Sequence, residues 1–153
     1  MSWLEHKIPP PVVGALCALF MWALSALTYQ VPWWGTGAQI VTAILVTVGL
    51  LFDSSGLLSF IRSKTTINPV HIERASHLVT SGIYRASRNP MYLGMAFLLT
   101  ALAIWLQAPL AFAGPVIFIL YITRFQIIPE EKTLAELFGD DYQAYKARVR
   151  RWI

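Results

Sequence analysis

Two groups of polar side chains interrupt an otherwise apolar sequence, and both contain residue types that bind charged ligands. The first group lies between Val79 and Gly94 and includes the guanidinium of Arg88 and the amide of Asn89. The second group consists of Arg124, Gln126 and the adjacent carboxylates Glu130 and Glu131. Adjacent helical side chains point in different directions, so one carboxylate can hold a cation while the other pairs with Arg124 or Arg88.

Each group also has a purely structural interpretation. Asn89 is a good N-cap and Pro90 suits the first position of a helix, so the first group also fits the start of a membrane helix anchored by two arginines. The carboxylate pair follows Pro129 and would be stabilised at a solvated helix start, where the helix dipole is positive. The spacing alone leaves both interpretations open.

Asp53 is a third candidate, because it lies about 16 residues into a long apolar run. An ionisable group within a membrane is a functional candidate by default. The alternative is a structural partner for a neighbouring arginine or for Ser54 and Ser55. His71 and His77 are six residues apart, which is not a helical ligand spacing, and no nearby cysteine supports a zinc site. We therefore predict no metal.

The composition restricts the class of protein. Of 153 residues, 56% are apolar and 13% are charged, against about 45–50% and about 25% in ordinary soluble domains. The net charge of +4 lies on a few short segments, which indicates a membrane surface and no nucleic-acid partner. The single Cys17 excludes a disulfide within one chain. The sequence contains no dinucleotide-binding glycine motif, P-loop, G-x-S-x-G or H-E-x-x-H.

Four apolar runs are long enough to form membrane-spanning helices, because a span needs roughly 20 apolar residues and hydrocarbon leaves no partner for an unpaired backbone group. The predicted spans are about 10–29, 37–60, 91–107 and 109–128, followed by a tail at 129–153. The short connection at Gln107 and Ala108 predicts a tight antiparallel hairpin, which would bring both polar groups to one membrane face. The predicted fold is a single-domain, all-α integral membrane protein with four transmembrane helices and a cytoplasmic amphipathic segment.

The distribution of lysine and arginine predicts the orientation. Five of these residues lie in segment 62–88 and six in segment 124–151, whereas the connections at 29–38 and 107–108 contain none. The positive-inside rule then places both termini and the middle loop in the cytoplasm, most simply at an inner membrane. The aromatic belt of the outer interface would consist of Trp33, Trp34 and Trp105. An alternative is that the first span is a cleaved signal peptide, although the run is long for that role.

The tail is predicted to form one or two helices with a break near Gly139. Its apolar residues recur at helical spacing and are Leu134, Leu137, Phe138, Tyr142, Tyr145, Val149 and Trp152. Two interpretations stay open. The segment lies on anionic lipid, or its aromatic face covers a binding site.

Three blocks occur in order along the second half of the chain: GIYRASRNPMYLG at 82–94, EEKTL at 130–134 and FGDDYQAY at 138–145. Together they resemble the isoprenylcysteine carboxyl methyltransferase family, which is related to the membrane phospholipid methyltransferases. The resemblance covers the chain from about Thr65 onward, and the three motifs in this order are fairly specific. The chain departs from the family at Asn89, where histidine is common, and near Gln126, where eukaryotic members carry an arginine.

The resemblance implies S-adenosylmethionine as the methyl donor, bound at the cytoplasmic side. The cofactor contacts that it implies are Tyr84, Arg88, Asn89, Pro90, Tyr92, Leu93, Gly94, Glu130, Glu131 and Tyr142. It further implies catalytic roles for Arg124 and Glu131. The chemistry is consistent, because a carboxylate can hold the ammonium group of the cofactor and aromatic faces attract its sulfonium.

The first functional hypothesis is a membrane methyltransferase that uses this donor on a lipophilic or small membrane-permeant acceptor. A carboxylate or thiol acceptor is the first choice and a phospholipid amine is the second. The rival hypotheses are a small four-helix transporter, for which Asp53 would be the membrane-embedded charge, and a non-catalytic membrane scaffold. The sequence leaves the acceptor and the oligomeric state open.

Overall fold

The computed structural model describes residues 7–33, 35–63 and 77–153. In this part of the chain the α-helices are α1 (Pro10–Leu27), α2 (Thr36–Ser63), α3 (Pro90–Trp105), α4 (Ala113–Ile122) and α5 (Ile128–Arg148). Short 3-10 turns occur at Gly82–Arg85 and Pro109–Phe112, and a π-helical turn at Thr123–Ile127 joins α4 to α5. No strand occurs within the described residues. The predicted all-α fold is confirmed.

Three helical segments are long and apolar enough to cross a membrane. They are α1, α2 and the continuous helix that includes α4. Helix α3 is also apolar but has 16 residues, which rise about 24 Å at 1.5 Å per residue, against a hydrocarbon core of about 30 Å. It ends at Trp105 rather than at 107, because Gln107 adopts a φ of 55°, which a right-handed helix does not allow. The chain is an integral membrane protein.

The predicted boundary between the fourth span and the tail, near residue 128, is not a break in the helix. Helix α4 continues through the π-helical turn into α5, and Pro129 lies in the first turn of α5 without ending the helix. A proline lacks the N–H of one helical hydrogen bond, and the wider π-helical turn before it accommodates that loss. The predicted break at Gly139 is confirmed, since this residue has a φ of 48° and a ψ of −122°. Glycine adopts such angles readily because it has no Cβ.

Helix α2 packs along α3 through small residues. A methyl group at Gly94 would lie 2.7 Å from the carbonyl oxygen of Gly49, and one at Gly56 would lie 2.6 Å from Met91. Such contacts let two membrane helices approach closely. The other face of α3 packs against α1 and α4, whose residues form the buried core with Met21, Phe118 and Ile122. Helix α3 therefore lies between α2 and the α1–α4 pair.

The predicted hairpin of the last two spans is confirmed, because the start of α3 and the start of α5 meet at one end of the bundle, where Tyr92 and Glu130 are in contact. We call this the polar end. At the opposite end the Trp33 indole donates a hydrogen bond to the Ile104 carbonyl oxygen at 3.0 Å, beside the exposed Trp105. Trp34, the third residue of the predicted belt, lies outside the described residues.

Candidate functional site

The site is built where α3 and α5 begin. Asn89 occupies the N-cap position of α3 and Pro90 its first turn, as predicted. One turn further, the Tyr92 hydroxyl donates a hydrogen bond of 2.6 Å to Oε1 of Glu130, which is 38 residues away in the sequence. The two polar groups of the sequence therefore converge on one point of the fold.

Glu130 is buried, with 9% of its surface exposed. Burial raises the pKa of this carboxyl to about 8, and the neighbouring Glu131 raises it further, while the hydrogen bond from Tyr92 acts in the opposite direction. The expectation of a solvated helix start is therefore wrong for Glu130. Because the helix continues from α4, no free helix N-terminus lies there.

Glu131 binds two arginines. It accepts a hydrogen bond of 2.7 Å from Arg88, and its two oxygens accept 2.9 and 2.8 Å bonds from Arg151. Burial would raise the pKa of Glu131, but the hydrogen bond from Arg151 and the charges of Arg88 and Arg151 outweigh it and lower the pKa. The expected pairing of one carboxylate with Arg88 is confirmed, and Glu131 is ionised at neutral pH.

Arg88 is held from several directions. Its side chain is 8% exposed, and besides Glu131 it donates to the Lys146 carbonyl oxygen at 3.3 Å. Among the described residues its buried Nε has no hydrogen-bond partner. Two arginines and one ionised glutamate leave this network with one surplus positive charge, which suits an anionic ligand group.

The last five residues, 149–153, form the C-terminal segment, which crosses the start of α3. The backbone N–H of Arg88 donates a hydrogen bond to the Arg150 carbonyl oxygen at 3.0 Å. The side-chain amide of Asn89 donates one to the Arg151 carbonyl oxygen, also at 3.0 Å. The Trp152 indole donates to the Thr123 hydroxyl at 3.3 Å. Asn89 makes no side-chain cap to its own helix, so its amide is committed to the C-terminal segment instead.

Aromatic residues of α5 pack on the segment that precedes α3. Tyr142 and Tyr145 are buried against Val79 and Tyr84, and the Tyr145 hydroxyl donates to the Tyr84 carbonyl oxygen at 2.7 Å. Burial raises the pKa of Tyr142 to about 12, so its hydroxyl is neutral. This packing buries Tyr142 and Tyr145 within the protein, whereas Leu137 of the same predicted face is 44% exposed.

Three of the candidate residues lie outside the network formed by Tyr92, Glu130, Arg88 and Glu131. Arg124 is exposed, with its guanidinium 5.4 Å from the centroid of the Phe125 ring. Gly94 faces α2, where a methyl group would contact Asp53. Asp53 itself has one buried oxygen, Oδ1, without a hydrogen-bond partner in the described part of the chain, while Ser54 bonds to the Leu50 carbonyl oxygen.

The histidines add no metal centre to this picture. His77 is exposed, and His71 lies outside the described residues. Within residues 7–33, 35–63 and 77–153 no group of three metal-binding side chains occurs. The donors at the polar end are carboxylate, guanidinium, amide and phenol groups.

Three residues of this region were not singled out as site residues. Ser87 is fully buried and accepts a hydrogen bond from the Asn89 N–H at 3.1 Å. Arg151 ties the C-terminal segment to Glu131. Gln126 is 1% exposed and donates to the Ile8 carbonyl oxygen at 2.9 Å. For Gln126 a signal existed, because its four-residue spacing from Glu130 puts both on one helical face.

Fold and site together define a small integral membrane protein with a buried network of charged side chains at one end of a helical bundle. The sequence profile described as phospholipid methyltransferase matches residues 38–141. This match covers more than half of the chain, and the chain belongs to that family of membrane methyltransferases. The relationship predicted from the three sequence blocks is confirmed.

Individual relatives agree with this assignment. The chain is 37% identical over 173 aligned positions to methanethiol S-methyltransferase 1 of Bradyrhizobium diazoefficiens, covering 97% of this chain and 56% of that protein. It is 30% identical over 112 positions to a probable protein-S-isoprenylcysteine O-methyltransferase of Oryza sativa subsp. japonica, covering 71% and 57%. An uncharacterized protein of Haemophilus influenzae is 49% identical over 63 residues, 41% of this chain and all of that protein. The chain thus spans a little over half the length of these named methyltransferases.

Proposed function

We propose that this chain, as a single domain, transfers a methyl group from S-adenosylmethionine to a small or lipophilic acceptor. The observation that carries the proposal is the convergence of two sequence-distant polar groups, through the 2.6 Å contact of Tyr92 with Glu130 and the 2.7 Å contact of Arg88 with Glu131. We place this polar end at the cytoplasmic face of an inner membrane, with both termini on that side. A water-soluble cofactor would then enter from the cytosol.

The charges of the site match those of the proposed donor. The Glu130 carboxylate, which the Tyr92 hydroxyl contacts through one oxygen, suits the donor's ammonium group. The surplus positive charge at Arg88 and Arg151 suits its carboxylate. The neutral ring of Tyr142 offers an aromatic face for the sulfonium. The ammonium, carboxylate and sulfonium groups of the donor therefore each have a side chain that attracts them.

The remaining predicted residues fall into two roles. We assign Tyr84, Asn89, Pro90 and Leu93 to the wall of the cofactor site, since they belong to the segment that the C-terminal segment and α5 cover. We assign Glu131 and Gly94 to positioning, because Glu131 holds the two arginines and Gly94 lets α2 approach α3. Arg124 receives no role in the transfer, because its side chain is exposed.

The reaction is a displacement at carbon. The acceptor atom forms a bond to the methyl carbon, the bond from that carbon to the donor sulfur breaks, and its electron pair stays on the sulfur of a neutral thioether. The acceptor's proton, where it has one, is released to water. Holding the two reacting atoms in line at about 3–3.5 Å supplies much of the rate enhancement. The chain's own contribution is therefore binding and alignment.

Two classes of acceptor deserve to be separated. A thiol or a carboxylate is the first candidate, in keeping with the names of the methanethiol and isoprenylcysteine relatives. A phospholipid amine is the second, and the description of the matching family profile favours it. In each case a lipophilic acceptor can approach sideways between helices.

The test is transfer of a radiolabelled methyl group from S-adenosylmethionine by the full purified chain in detergent. Acceptors are a small-thiol mixture, prenylated cysteine and phosphatidylethanolamine, and the labelled product is identified by mass spectrometry. Calorimetric titration with S-adenosylhomocysteine measures cofactor binding separately. Absence of any calorimetric signal and of any labelled product contradicts the proposal.

The matched variants are Glu130→Gln and Glu136→Gln. Both lie on α5, but Glu136 is exposed whereas Glu130 is buried in the site. We expect at least a tenfold loss of cofactor affinity in Glu130→Gln, the effect of removing one charged hydrogen-bond partner from a buried site. Glu136→Gln should bind like the wild type. Equal cofactor affinity in the two variants would show that Glu130 does not contribute to cofactor binding.

A further inference from the structure

The Gln126 side chain is the most informative polar group that the proposed donor contacts do not use. It is 1% exposed and belongs to the π-helical turn Thr123–Ile127. Single π-helical turns inside α-helices are frequent at functional sites. Glu130 follows four residues later on the same helical face, so Gln126 borders the proposed site on the side of α4.

The orientation of its amide follows from one hydrogen bond. A backbone carbonyl oxygen can only accept, so the atom that faces the Ile8 oxygen at 2.9 Å must be Nε2. The Oε1 atom therefore points away from Ile8. It is buried and has no hydrogen-bond partner among the described residues. Buried polar atoms nearly always have a partner, so this oxygen is available to accept a hydrogen bond from a donor that enters the site.

The surroundings of the amide restrict the chemistry of that molecule. Ile122 and Ile127 are fully buried in the same core, and Ile8 and Trp152 pack against it. An ionised carboxylate has no proton to offer and would bring negative charge to an acceptor oxygen. An ammonium group would lose its hydration in an apolar environment. A neutral thiol offers one S–H donor on an apolar body.

We propose that Gln126 selects a small apolar thiol as the methyl acceptor, with its Oε1 atom accepting a hydrogen bond from the S–H group. This inference rests on the proposed methyl transfer. The hydrogen bond orients the sulfur before the reaction, and the Gln126 amide neither gains nor loses a proton. The methylated product has no S–H group, so it loses this bond and is released more readily.

Access to Gln126 requires little rearrangement of the bundle. The backbone group that holds the Gln126 amide lies outside a helix interior, since Ile8 precedes α1. Such segments open at lower free energy than packed helices. A small acceptor can therefore reach the amide while α1 and α4 stay packed.

The first experiment measures binding of three matched probes to the full wild-type chain in detergent: 1-propanethiol, 1-chloropropane and propanoate. The chloride resembles the thiol in size but lacks the S–H donor. We expect the thiol to bind about two- to fivefold more tightly than the chloride, the effect of one weak S–H hydrogen bond to a buried acceptor, and propanoate to bind more weakly still. Equal affinity for the thiol and the chloride, or preference for propanoate, overturns the proposal.

The second experiment uses Gln126→Met, which keeps the length of the side chain and removes the amide. We expect the preference for the thiol over the chloride to disappear and the acceptor KM to rise about two- to fivefold. The affinity for S-adenosylhomocysteine should stay unchanged, which a merely unfolded variant would not show. The control is Gln143→Met, the same substitution at an exposed position of α5. A thiol preference that survives in Gln126→Met contradicts the proposal.

The two proposals fail differently. If the thiol binds in a manner that depends on Gln126 but no acceptor is methylated, the methyltransferase proposal is wrong and the thiol site stands. If methyl transfer occurs and the thiol is used as well by Gln126→Met as by the wild type, the thiol site is wrong and the methyltransferase proposal stands.

Discussion

At the scale of single residues, the fold favours the protonated form of the Glu130 carboxyl at neutral pH. Burial raises its pKa to about 8, whereas its neighbour Glu131 is ionised between two arginines. Two adjacent carboxylates thus have different charges at neutral pH. A carboxyl that is mostly protonated must lose its proton before it can pair with a cation, so cation binding is coupled to proton release.

This coupling gives the first prediction. At pH 7 a carboxyl with a pKa of about 8 is about nine-tenths protonated, so binding of the donor's ammonium should release close to one proton from Glu130. Calorimetric titration in buffers of different ionisation enthalpy measures the number released. Glu130→Gln should release close to none, because its amide does not titrate. Equal proton release in the two proteins would show that another group is responsible.

At the scale of secondary-structure elements, the contact between α2 and α3 depends on Gly94. A methyl group there would meet Asp53 and lie 2.7 Å from the Gly49 carbonyl oxygen, so the helices would have to separate. We predict that Gly94→Ala lowers the free energy of unfolding in detergent by about 1–3 kcal/mol, the usual cost of overpacking.

The control for Gly94→Ala is Gly37→Ala, because no atom lies within 4 Å of the added methyl group at Gly37. That variant should unfold like the wild type when the two are compared by thermal denaturation. Wild-type stability in Gly94→Ala would contradict the close approach of α2 to α3.

The C-terminal segment is the second element with a predicted role. It is fixed by the two hydrogen bonds from Arg151 to Glu131 and by its contacts with Arg88 and Asn89. Because the Arg151 side chain is 35% exposed, solvent screening moderates the effect of its loss. We predict that Arg151→Gln makes radiolabelled donor dissociate about 5- to 20-fold faster.

Arg150→Gln is the matched control for the C-terminal segment. Its side chain is exposed, and its contact with Arg88 is made by the backbone carbonyl oxygen, which the substitution keeps. Filter binding followed over time compares the dissociation rates. If both variants release the donor at the wild-type rate, the C-terminal segment does not retain it.

At the scale of the whole molecule, the polar end carries the site and the opposite end carries Trp33 and Trp105. The positive-inside rule orients such a bundle with its basic segments in the cytoplasm. The native Cys17 is buried, so single cysteines introduced at exposed positions report the orientation. Gly35 lies near the aromatic end and Gln143 at the polar end, and both are exposed.

We predict that Gly35→Cys reacts with a membrane-impermeant maleimide in intact bacterial cells, whereas Gln143→Cys reacts only after the cells are opened. The reason is that the impermeant reagent reaches only the outer face of the membrane while the cells are intact. Mass-shift electrophoresis measures the labelling, and the unsubstituted chain is the control. The reverse labelling pattern would show that the polar end faces outward and would contradict the predicted orientation.

The sequence by itself determined the helical membrane fold, the break at Gly139 and the identity of the two polar groups. These follow from local properties: long uncharged runs need helices in hydrocarbon, and glycine tolerates backbone angles that other residues do not. Only the tertiary structure decided that α4 continues past Pro129, that Glu130 is buried while Glu131 binds Arg88 and Arg151, and that Arg124 is exposed.

The physical reason is distance along the chain. Whether a carboxylate is neutral or ionised depends on burial and on charges brought near by folding, and the partners of Glu131 lie 43 and 20 residues away. The same holds for Gln126, whose amide is oriented by an Ile8 carbonyl oxygen 118 residues earlier. A local pattern can name such residues, but only packed helices decide which atoms remain free for a ligand.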